Sequence, residues 1–129
     1  MKRLFLDDWR IPIDCATYMW QRKADCRDYH EDWTVARSFG QFIRYIDDIG
    51  IPDLVSLDYD LADVEELKES LEIEEWFSLD ENRIYTGADC LAHLISRCRE
   101  EGKPLPKIYI HSANPDGSDE MKEMISNFQ

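Results

Sequence analysis

Hydrophobic residues fall into two alternating rhythms along the chain. Short runs at residues 3–6 (Arg-Leu-Phe-Leu), 33–36 (Trp-Thr-Val-Ala), 53–57 (Asp-Leu-Val-Ser-Leu) and 107–110 (Lys-Ile-Tyr-Ile) predict four buried strands. Helical spacing separates them. Phe39, Phe42, Ile43 and Ile46 form one stripe in a helix over 38–49. Ser38 with Gln41 reads as a capping box at its start, and Gly50 and Pro52 stop it. Thr86 with Asp89 opens a second helix running to about Glu101, with Leu91, Leu94, Ile95 and Cys98 inward and His93 on the opposite side. Gly102 and Pro104 end that helix, and a last one is expected over 118–128 with Met121, Ile125 and Phe128 inward. Residues 10–32 show no clean period and read as irregular, with room for a short helix within 14–32. Strands alternating with helices predict an α/β fold, a parallel sheet with helices on both faces, and strand order 2-1-3-4.

Composition narrows the class. A chain of 129 residues is expected to be a single domain, and 43% hydrophobic content excludes wholesale disorder. The charge is lopsided, with 28 acidic and 15 basic residues and a net charge of −13. Such a surface repels a duplex phosphate backbone and an anionic membrane. No apolar run approaches the roughly 20 residues of a membrane helix, and Asp7 and Asp8 interrupt the one that would open a signal peptide. The expected location is the cytoplasm. The cysteines at 15, 26, 90 and 98 lack zinc spacing and read as reduced thiols. Between Asp63 and Glu81 stand nine acidic residues and one lysine, with Val64, Leu67, Leu71, Trp76 and Phe77 keeping an apolar side. The segment 61–83 therefore reads as an acidic amphipathic insertion.

Polar residues gather where the strands end. Strand one ends in Asp7-Asp8, strand three in Asp58-Tyr59-Asp60 and strand four in His111-Ser112-Ala113-Asn114. Parallel α/β sheets bind ligands at that edge. In order 2-1-3-4, Asp7, Asp8 and Asp58 converge, and a divalent cation offsets their repulsion. Oxygen ligands suit Mg²⁺ or Mn²⁺, which would in turn hold a phosphate oxygen. His111 is a candidate general acid or base. Asp60 is placed to orient a ligand or water, while Arg10, Ser112 and Asn114 are candidate phosphate binders. Thr86-Gly87 is an ordinary helix start that can also face an anion. The plainer alternative is that these residues cap turns.

These residues carry a family likeness. Asp7-Asp8 and Asp58 resemble the acidic pocket of response-regulator receiver domains, and Ser112 their Ser/Thr after strand four. L-D-D-x-R-x-P at 6–12, S-L-D-x-D-L at 56–61, T-G at 86–87 and H-S-A-N-P at 111–115 resemble more closely the cyclic-phosphate processing receiver-like domains. The resemblance implies a three-layer receiver/flavodoxin-like sheet without a fifth strand. It also implies metal-dependent processing of cyclic phosphates on nucleotides or RNA ends, with Tyr59, Thr86 and Gly87 among the substrate contacts. Tyr59 stands where the family usually has histidine between two aspartates, and a phenol is a poor base at neutral pH. That departure keeps open a non-catalytic module docking a basic protein through 61–83. A phosphoryl-accepting switch at Asp58 is the weaker third reading, because no lysine matches the one receivers carry after a fifth strand.

Overall fold

The computed structural model describes residues 1–21, 26–61 and 85–128. Four strands, β1 (Arg3–Leu6), β2 (Thr34–Ala36), β3 (Leu54–Leu57) and β4 (Lys107–Ile110), form one parallel sheet in the order β2-β1-β3-β4. The register aligns Phe5 with Ser56 and Ser56 with Tyr109. Alternation along each strand then sorts side chains between two faces. Leu4, Leu6, Val55 and Leu57 face one core, and Phe5, Leu54 and Tyr109 the other.

Helices α2 (Phe39–Asp48), α3 (Gly87–Glu101) and α4 (Pro115–Ser126) supply the larger core with Phe42, Ile46, Leu91, Leu94 and Met121. On the opposite face, α1 (Pro12–Gln21) and a 3-10 turn (Cys26–His30) contribute Cys15 and Tyr29. The expected three-layer α/β architecture is what the chain adopts, with four strands among the described residues.

Three local readings need correction. Residues 12–21, read as irregular with room for a short helix further on, form a helix of ten residues. Pro12 sits at the first helical position, and the Ile11 N–H donates to Asp14 Oδ2 at 2.9 Å. The N-cap is an isoleucine, so the usual Ser/Thr/Asp signal is missing. The last helix begins at Pro115 rather than 118, because Asn114 is its N-cap and accepts the Gly117 N–H at 3.0 Å. The Ser38–Gln41 box is half formed. Ser38 Oγ accepts the Gln41 N–H at 3.2 Å, but Gln41 Oε1 accepts from Arg37 N–H at 2.7 Å. The acidic segment beyond Leu61 lies outside the described residues.

Candidate functional site

Alternation builds the site. One residue beyond β1, β3 and β4 come Asp7, Asp58 and His111. Their backbone pairing continues the ladder: Asp58 N–H donates to Leu6 O and His111 N–H to Leu57 O, both at 3.0 Å. All three therefore fall on the Phe5–Ser56–Tyr109 face. One ligand atom from each lies within 4.8 Å of the others. Asp7 and His111 are fully buried, and Asp58 is 5% exposed.

Asp7 is held from several sides. Its Oδ1 accepts the N–H groups of Trp9 (3.0 Å) and Arg10 (2.9 Å), which folds the following loop over it. Its Oδ2 lies 3.0 Å from His111 Nε2 and 3.7 Å from the Arg10 guanidinium. Burial alone would raise its pKa. The hydrogen bonds from His111, Arg10 and Trp9 outweigh that and bring it down to about 2. Asp58 goes the other way, to about 6, because it is buried and faces the Asp7 charge. The Tyr59 N–H at 2.8 Å and Arg10 offset only part of this. Two neighbouring carboxylates that cannot both ionise cheaply divide in this manner. Asp8 is half-buried and stands outside the three-residue group. Burial and the Asp7 charge raise its pKa.

The other expected site residues form a collar. Arg10 covers the pair, its Nη1 3.5 Å from the His111 carbonyl oxygen. Thr86 bridges to Asp60, and its N–H donates to Asp89 Oδ2 at 2.8 Å. The Gly87 N–H donates to the Tyr59 carbonyl at 2.8 Å. A Cβ on Gly87 would sit 1.8 Å from the Asp58 carbonyl oxygen. The T-G pair thus lets α3 dock directly on the turn that carries Asp58. Ser112 is buried, and its Oγ accepts the Asn114 N–H at 3.1 Å. Besides capping α4, Asn114 reaches the exposed Asp60 carboxylate at 3.5 Å. Tyr59 lies against Gly117, where a Cβ would meet its ring at 2.3 Å, and its hydroxyl donates to Glu120 at 2.9 Å. The Glu120 bond, followed by burial, raises the phenol's pKa above 10, so Tyr59 is a donor there and not a base.

Sequence reasoning missed three contributors. Arg37, just past β2, donates from Nη1 to the carbonyl oxygens of Arg10 and Asp7 and pins the Asp7–Arg10 turn. Its place at the end of a strand next to β1 was the available signal. Ser56 and Tyr29 stand behind His111 in a chain of buried hydrogen bonds. The register makes Ser56 visible as a polar residue in an otherwise apolar strand, whereas Tyr29 comes from a segment without periodicity.

The fold and the acidic strand-end cluster define a receiver-like α/β domain. Residues 2–127 match the family described as the cyclic-phosphate processing receiver domain, and the chain belongs to that family. No curated protein and no solved structure gives a match. No helix among the described residues is long and apolar enough to cross a membrane.

Proposed function

We propose that this domain opens cyclic phosphate esters on nucleotides or RNA ends, using a divalent cation of the Mg²⁺ or Mn²⁺ kind held by Asp7 and Asp58. The observation that carries this reading is the buried carboxylate pair, 0% and 5% exposed, in which burial and then the Asp7 charge push Asp58 up to about 6. Oxygen donors in a buried, anion-rich position fit a hard cation. Asp8, beside Asp7, adds negative charge at its rim. When bound, such a cation supplies positive charge to a phosphate oxygen and acidifies a coordinated water.

The chain's own groups do the rest. Arg10, already over the pair, is placed to take a phosphate oxygen. Ser112, Asn114, Thr86 and Gly87 line the same strand ends and shape the space around the ligand. Asp60 orients water or substrate. The net reaction adds one water across one P–O ester bond. The leaving oxygen takes a proton, and a phosphomonoester remains.

This is tested by thermal melts with millimolar Mg²⁺ or Mn²⁺, with and without a 2′,3′-cyclic nucleotide. The wild type is expected to gain stability from the metal and further from the nucleotide, and Asp58→Asn to lose both gains. No metal effect on the wild type refutes the reading. One observation favours a second reading, a non-catalytic binding module: the Tyr59 phenol, at the family's histidine position, is committed to Glu120 and stays protonated. Metal binding without turnover of any cyclic phosphate would support that module, whose protein partner would be sought at residues 61–83.

A further inference from the structure

From the sequence, His111 is a candidate general acid or base, a role that needs access to the ligand. Instead its ring is fully buried, stacked on Phe5 at 4.5 Å between centroids and 3° between planes. Both nitrogens are engaged. Nε2 lies 3.0 Å from Asp7 Oδ2, and Nδ1 lies 2.7 Å from Ser56 Oγ. Ser56 Oγ is in turn 2.8 Å from the Tyr29 hydroxyl, and both of those residues are buried as well.

Proton counting orders this chain. Asp7 accepts two backbone N–H groups at Oδ1 and turns Oδ2 toward Nε2 and the Arg10 guanidinium, so it stands as an acceptor and Nε2 carries the proton between them. A neutral ring then has a lone pair at Nδ1, which needs a donor. In that state Ser56 O–H would supply it, and Tyr29 O–H would donate to Ser56 Oγ. The sequence Tyr29 to Ser56 to His111 to Asp7 runs in one direction, with each donor matched to an acceptor.

We propose that Ser56 and Tyr29 are positioning residues that fix His111 as its Nε2–H tautomer. The ring thereby becomes a donor that orients Asp7. Its Nε2 has no lone pair left for a cation, although its distance from both carboxylates would allow it to be counted as a ligand. Cation binding then falls to Asp7 and Asp58, with His111 behind them, as outer hydrogen bonds commonly orient metal ligands. The role toward the cation rests on the function proposed above; the tautomer does not.

The test uses the full chain with ¹⁵N-labelled histidine, and His111→Gln assigns the His111 signals among the three histidines. Ring ¹⁵N shifts at neutral pH report the tautomer, and Mn²⁺ paramagnetic resonance reports affinity. The wild type is expected to show a protonated Nε2 and a hydrogen-bonded, unprotonated Nδ1. Ser56→Ala should shift the Nδ1 signal toward that of an unbonded nitrogen and weaken Mn²⁺ roughly tenfold, as loss of an outer-shell partner does. Ser56→Thr should restore both readouts. Tyr29→Phe keeps the ring packing and should give smaller changes in the same direction, which keeps the test alive if Ser56→Ala fails to fold. A wild-type ring protonated at Nδ1, singly or doubly, overturns the proposal. So do variants with wild-type ring shifts, or a changed ring with unchanged Mn²⁺ affinity. If the wild type shows the Nε2–H ring and Ser56 dependence but binds no Mn²⁺, the proposed function fails while the tautomer assignment stands.

Discussion

Replacing Asp58 with asparagine should stabilise the metal-free protein at neutral pH. The Asp58 carboxyl, 5% exposed, has its pKa raised from 3.8 to about 6 by burial and by the Asp7 charge. Between those values the folded state holds a proton that the unfolded chain has released, so stability falls as pH rises through the window. At about 1.36 kcal/mol per pH unit, the loss is complete above pH 6 and amounts to about 3 kcal/mol. Asparagine carries no charge and its side-chain oxygen still accepts the Tyr59 N–H. Asp58→Asn should therefore match the wild type near pH 4 and exceed it by about 3 kcal/mol near pH 7, roughly 10 °C in melting temperature for a domain of this size. Asp7, lowered to about 2, loses its own contribution only at more acid pH and leaves the window clear. The assay is urea unfolding in the presence of a chelator at both pH values. A difference between the two proteins that does not change with pH would refute the reasoning.

Other consequences follow from single contacts. Gly87→Ala places a Cβ 1.8 Å from the Asp58 carbonyl oxygen, so α3 must shift; a loss of about 1–3 kcal/mol is expected, read by chemical denaturation. Asn114→Ala removes the cap of α4 and should cost about 1 kcal/mol in the same assay. Tyr59→Phe should change stability by less than about 1 kcal/mol. It should also leave any pH–rate profile unmoved, because the phenol bonded to Glu120 stays protonated throughout.

The sheet was legible because each of its strands is a short apolar run closed by a polar or charged residue, and strand order followed from the connections. The convergence of Asp7 with Asp58 followed from that order. Helix α1 was hidden because its start depends on Pro12 and on Asp14 reaching back to Ile11, without a conventional N-cap. His111 was placed correctly along the chain but not in depth. Only the register shows that it lies over Ser56 and Phe5, inside the smaller core. Arg37 was signalled only by its place after β2, and Tyr29 by nothing, since their partners are backbone or buried groups far away in sequence.

The most direct measurement is turnover of 2′,3′-cyclic nucleotides, RNA with a 2′,3′-cyclic phosphate end, and cyclic dinucleotides in Mg²⁺ or Mn²⁺, with Asp58→Asn as the control. Ring opening to a phosphomonoester by the wild type alone is the expected result. Metal binding with no product from any of these substrates would contradict the proposed chemistry.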